Sequence, residues 1–270
     1  LKRICFMAAG LAGVGHRTFF IPNVSGLLIG RGAGLPERLL LAVEPGQTME
    51  FGDFTVQFIE SAHGPAFLGR VPYPGMIDAP LVPPAAASRY RLGGVFGILI
   101  SHPEGTILHH GSAGFIPGMY DKTRADIVLL GIAGRGDTGE YLREVPLRVK
   151  ASTVIPVHLD NFFRPLEKGL SLLPGSLRFR EFCDTAGRYR SDFAVRTLPL
   201  ARAVRASSGV LTGGGGSGAF GRDDDPELVA ELIAKEVWLD LCLTSNYQAK
   251  IVPTLAAHPF RRLMKAGVRV

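Results

Sequence analysis

A chain of 270 residues with 46% hydrophobic and 20% charged residues has room for one large domain or two modest ones, and disorder over its whole length is excluded. The balance of 30 Lys+Arg against 24 Asp+Glu leaves +6; the arginines are scattered, without basic runs or interleaved aromatics, so no nucleic-acid partner is expected and a small, mildly anionic substrate suits the charge better. Cys5, Cys183 and Cys242 are odd in number and far apart, which argues against a disulfide framework or a thiolate zinc site and for a reducing, cytoplasmic setting.

Leu1-Lys2-Arg3 and the apolar run to Val14 have the outline of an export signal, but no small-residue cleavage site follows and the run is too short to span a bilayer, so no membrane association is expected. Residues 1–29 show neither a helical nor a strand period, because Gly10, Gly13 and Gly15 interrupt them. Gly30-Arg31-Gly32-Ala33-Gly34 lacks the Lys-Ser/Thr ending of a phosphate loop and reads as a glycine-rich connection.

From Leu39 the signals become orderly. Residues 39–43 read as a short strand, Glu44-Pro45-Gly46 as a turn, and residues 49–60 as a hairpin in which Phe54, Val56 and Phe58 alternate with Thr55 and Gln57. The alternation is expected to bury one sheet face and to deliver the chain to His63. Six prolines between Pro65 and Pro84 exclude regular structure over most of 65–93, and a long loop beside strand ends suits a lid or a substrate wall.

Residues 95–115 read as two apolar strands around the turn His102-Pro103-Glu104-Gly105, ending in His109-His110-Gly111-Ser112. Adjacent strand residues point to opposite faces, so at most one of His109 and His110 can look into a site. Residues 125–131 and 153–157 read as buried strands with a helix over 140–149 between them. Strand, helix, strand implies a crossover connection and an α/β layered sheet. Residues 193–205 are expected to close the unit as a strand pair around Pro199. Three polar strand ends, at His63, at His110 and Ser112, and at His158 with Asp160, suggest a site on one edge of the sheet.

Residues 213–218, GGGGSG, read as a flexible linker. Asp224-Asp225-Pro226 then caps a helix over 226–235, followed by a strand over 237–242 and a basic helix over 258–266 that ends at Gly267. Val268-Arg269-Val270 starts a strand expected to continue past the last residue. This gives an atypical segment 1–28, a domain 29–205, a linker 206–222 and a tail 223–270.

The strand ending FIESAHG, the hairpin ending ILHHGSAGF and the buried strand VIPVHLDNF follow in an order and spacing that resembles the metallo-β-lactamase-fold hydrolases. The resemblance implies an αββα sandwich, here incomplete at its N-terminus, with one or two zinc, iron or manganese ions at the strand ends activating water for hydrolysis. It implies that His63 and His158 are metal ligands and that Asp160 orients His158 or a substrate group; His110 and Ser112, at the strand end between them, are expected to face the substrate or support the ligands. Ser112 stands where many members carry a bridging aspartate. The family's first motif, H-x-H-x-D-H, is absent from residues 1–62; two histidines fall short of a catalytic zinc's three protein ligands, which implies an impaired hydrolase. A catalytically inactive sandwich that binds a small ligand is the alternative.

The runs DDDPELVAELI, LDLCLTSN and VPTLAAHPFRRLMKAGVRV resemble the late βα units of adenosine deaminases. They contain no H-x-H strand, HAGE-type glutamate or His-Gly pair. The resemblance therefore implies a deaminase fragment without catalytic groups, and so short a piece cannot close an eight-stranded barrel.

Overall fold

The computed structural model describes residues 23–65, 69–159, 161, 172, 178–197, 204–213 and Lys265. The chain divides into two compact units, one holding 1–159, 173–197 and 206–210 and the other 160–172, 198–205 and 211–270. Most of the described residues belong to the first.

The chain enters through helix α1 (Val24–Gly32), in the stretch expected to be irregular. Three glycines in nine residues are poor helix material, and the ends supply what the interior lacks. The Asn23 side chain accepts from the Gly26 amide at 2.8 Å, satisfying a donor that the first turn leaves open. At the other end Gly34 adopts φ 79°, and the amides of Gly34 and Leu35 return to the carbonyls of Arg31 and Gly30 at 3.0 Å each, a Schellman closure that needs glycine at its left-handed position. Residues 30–34 are therefore the end of a helix rather than a connection.

No strand forms over 39–43. Glu37–Leu39 is a 3-10 turn and Leu40 makes an isolated bridge. Leu40 instead packs with Ile29, Leu35, Ile77 and Leu81 in a small apolar cluster. Leu39 and Val43 are buried as well, so apolar burial without a strand accounts for the pattern of the run. Ile77 and Leu81 come from the proline-rich loop, whose described residues are irregular as expected apart from 3-10 geometry at Gly69 and at Ala87–Arg89.

The main sheet has seven strands in chain order: β1 (Thr48–Phe51), β2 (Phe54–Ser61), β3 (Val95–His102), β4 (Gly105–His110), β5 (Ile127–Gly131), β6 (Thr153–Val157) and β7 (Ala194–Val195). It is an open mixed sheet, not a closed barrel. Strands β1 to β4 pair antiparallel, and β4 to β7 pair parallel. The two tight hairpins were expected, as was the β5 to β6 crossover. That crossover carries α2 (Thr138–Leu142), capped by the Asp137 side chain on the Glu140 amide at 2.7 Å, and a π-turn over Arg143–Leu147 containing Pro146. Pro146 has no amide to give to a regular ladder, and its carbonyl accepts from Ala151, five residues on, at 3.0 Å.

One face of the sheet carries the core. Leu108, Val128, Leu130 and Val154 are fully buried against Tyr120, Tyr141, Leu142, Val145 and Phe182. Phe182 comes from α3 (Phe179–Ala186), a helix that no sequence signal had marked. On the other face, Phe58, Ile127 and Ile155 are buried, while Phe54, at the hairpin turn, is 47% exposed, so the β2 alternation buries its side chains unevenly.

Of the strand pair expected over 193–205, residues 198–203 around Pro199 lie outside the described residues. β7 joins the main sheet beside β6, and β8 (Val204–Ser207) pairs with β9 (Val210–Gly213). The Ser208-Gly209 turn between them suits this pairing, with both residues at positive φ. The first part of the linker expected over 206–222 is taken up by β8 and β9, while its remainder, 214–222, and the tail elements over 226–266 lie outside the described residues, Lys265 apart, which is helical. No helix of the described residues is long and apolar enough to cross a membrane.

Candidate functional site

Because β2 and β4 both run antiparallel to β3, and β5 and β6 run parallel to β4, the C-terminal ends of β2, β4, β5 and β6 share one edge of the sheet. His63 follows β2, Ser112 follows β4 and His158 follows β6. The expected gathering of three polar strand ends on one edge is therefore the topology of the sheet.

The loops at this edge meet backbone to backbone. The Gly64 amide donates to Ser112 Oγ at 2.9 Å. A Cβ on Gly114 would lie 2.5 Å from the His63 carbonyl carbon, and one on Gly134 would lie 2.4 Å from the Pro65 carbonyl oxygen; no side chain fits at either point. The loops after β2, β4 and β5 thus interlock through their glycines.

His63 is half-buried, with Nδ1 2.6 Å from the Gly64 carbonyl oxygen. That carbonyl can only accept, so Nδ1 carries the proton and Nε2 is left as the lone-pair nitrogen. His158 is exposed and sits at φ 53°, an uncommon backbone setting for a residue with a Cβ. Asp160 lies outside the described residues.

His109 and His110 part as strand neighbours must. His110 points into the helical core, 1% exposed, with Nδ1 2.8 Å from the Tyr120 hydroxyl and its ring against Tyr141 at 5.6 Å between centroids. Burial pushes its pKa down to about 4; the Gly114 backbone pulls the other way and the His109 charge adds a little to the fall. Its Nε2 is buried without a hydrogen bond of normal geometry. Tyr120 reaches His110 because β3 carries Gly97 opposite: a Cβ there would stand 2.0 Å from the Tyr120 hydroxyl oxygen. His109, on the other face and half-buried, also has its pKa lowered by desolvation.

Arg135, in the loop after β5, drew no attention as sequence. It is 4% exposed. Nε donates to Thr138 Oγ1 at 2.7 Å, Nη1 to the Ile132 carbonyl at 2.8 Å, and Nη2 to the Arg178 carbonyl and to Glu181 Oε2, both at 2.8 Å. The guanidinium also lies 5.4 Å from the centre of the Phe182 ring. Desolvation lowers its pKa and Glu181 opposes the fall.

Can these residues hold a metal ion? His63 and His158 are the two candidate imidazoles, and Ser112 Oγ is already engaged by an amide. Among the described residues no three His, Cys, Asp or Glu side chains come together in a group that could hold an ion. A catalytic zinc takes three protein ligands, so His63 and His158 alone do not complete a catalytic zinc site.

Comparison with known proteins divides the chain in two. The adenosine deaminase family profile matches residues 218–270. An adenosine deaminase of Streptococcus mutans is 43% identical over 47 residues, 17% of this chain and 14% of that protein. An adenine deaminase of Rhizobium meliloti is 37% identical over 86 residues, 32% of this chain and 24% of that protein. The chain thus spans between 14% and 24% of the length of these curated relatives. Solved structures similar to this chain include a metallo-β-lactamase fold protein and a diiron β-hydroxylase. YhfI from Bacillus subtilis has 13% identity and a TM-score of 0.39, over 71% of this chain and 63% of that one. The diiron β-hydroxylase CmlA from Streptomyces venezuelae has 16% identity and a TM-score of 0.42, over 66% and 36%.

Proposed function

We propose that residues 29–205 are a metal-dependent hydrolase domain of the metallo-β-lactamase superfamily, acting on a small molecule at the shared edge of β2, β4, β5 and β6, and weak in metal binding because the first ligand motif is missing. The observation that carries this reading is the convergence of His63, Ser112 and His158 on one sheet edge, in the order the family uses. Asp160 is assigned the role of orienting His158 or a substrate group. The exposure of His158 and the free Nε2 of His63 suit groups that meet a ligand from solvent.

The experiment is metal analysis of the purified chain, with hydrolysis of ester, thioester, amide and phosphodiester probes at increasing zinc, iron and manganese. Metal well below one equivalent as purified, hydrolysis that rises with added metal, and loss of both responses in His63→Ala and His158→Ala are expected. Hydrolysis absent at every metal concentration, with metal uptake unaffected by either substitution, overturns the reading.

The second reading is a sandwich that binds a small ligand without turning it over. Ligand binding at the edge without turnover would select it. For the tail we propose a deaminase-derived segment without catalysis, since His258 is the sole imidazole of the matched stretch.

A further inference from the structure

Arg135 is out of place by ordinary energetics. A guanidinium whose side chain has no solvent exposure carries a desolvation cost that ion pairing rarely recovers, and an apolar side chain of similar volume would commonly stabilise the fold as well or better. What the guanidinium supplies is direction: a planar fork that fixes several partners at once. Its partners here come from both ends of its own loop, at Ile132 and Thr138, and from the start of α3, at Arg178 and Glu181. Arg178 clamps the same loop from outside, donating to the carbonyls of Arg135 and Gly136 at 2.8 and 2.5 Å. Glu181 Oε2 accepts from Thr138 Oγ1 as well, at 2.8 Å.

The loop held this way presents Gly134 to the His63 loop. The Gly134 carbonyl oxygen lies 3.0 Å from where a Cβ on Gly64 would stand. Backbone against backbone, with no flexible side chain between, passes on displacement rather than absorbing it. We propose that Arg135 is a positioning residue for the candidate site, setting the place of the His63 loop through Gly134. This inference rests on the reading of the shared strand edge as the site, and it extends that reading to a group that touches neither His63 nor a ligand.

Amide hydrogen exchange in the full chain tests it, comparing Gly64, whose amide is held by Ser112, with Leu130 in the centre of the sheet. In Arg135→Lys, which keeps the charge and loses the fork, Gly64 exchange is expected to accelerate at least tenfold more than Leu130 exchange. Glu181→Gln should move Gly64 in the same direction by less, and Thr138→Val likewise. If Arg135→Lys does not fold, those two milder variants carry the test. Equal acceleration at Gly64 and Leu130 in folded variants reduces Arg135 to a general stabiliser and overturns the proposal, as does an unchanged Gly64. The exchange rates report positioning whether or not the chain hydrolyses anything, so failure of this inference and failure of the hydrolase reading are told apart.

Discussion

Burying a neutral imidazole at His110 ties the fold to pH. Free histidine titrates near pH 6.5, while His110 in the folded chain is pushed down to about 4. Above about pH 6.5 both forms are neutral and the residue contributes no pH dependence. Below that, the unfolded chain takes up a proton that the folded chain refuses, so stability falls as pH drops, by on the order of 3 kcal/mol at pH 4. Urea unfolding between pH 7.5 and 4.5 should show this slope, and His110→Gln should flatten it; an identical slope in the variant would assign the effect elsewhere. The pair also depends on Gly97. Gly97→Ala would push a methyl into the Tyr120 hydroxyl, costing overpacking and the buried hydrogen bond together, about 3 kcal/mol in unfolding free energy.

At the level of elements, local chemistry and long-range packing divide the work. α1 depends on its ends: Asn23 caps the first turn, and its Nδ2 also donates to the carbonyls of Leu92 and Gly94 at 3.2 and 2.5 Å. Asn23→Ala is expected to destabilise by about 1–2 kcal/mol, read as a lower urea midpoint, with exchange rising first along α1. This helix also shows where sequence reading stops. Strands β5 and β6 were legible because unbroken runs such as IVLLG suit a strand covered on both faces, and β3 and β4 because their turn residues announce the reversal. α1 was not, because a helix with three glycines contradicts propensity and persists through its caps and the burial of Ile29. The run at 39–43 misled for the converse reason: Leu39, Leu40 and Val43 are buried without forming a strand. The positions of His63, Ser112 and His158, each just past a strand of the main sheet, were legible because the apolar runs before them mark those strands. Arg135 was not, since its carboxylate partner is 46 positions away and nothing local predicts that α3 will bring it.

For the molecule as a whole, two kinds of likeness meet in one chain. The described elements form an open, mixed seven-stranded sheet, while the stretch matched by the adenosine deaminase profile is 218–270. That stretch contains one histidine, before a proline, and neither an H-x-H strand nor a His-Gly pair. Purified protein is therefore expected to produce no inosine from adenosine and no hypoxanthine from adenine in a spectrophotometric assay. Turnover above background would require catalytic groups that the resemblance does not supply.

The order of the main sheet has a bearing on how the chain is made. Every strand lies beside the one that precedes it, from β1 to β7, and no later strand is inserted between two earlier ones. Each new strand emerging from the ribosome therefore finds a finished partner waiting at a single growing edge. The early antiparallel hairpins close over short separations, and the parallel strands, which must wait for their crossovers, are added to a template already in register. The sheet can be laid down in the order in which it is translated, with the candidate site completed last, when β6 docks and brings His158 to its edge.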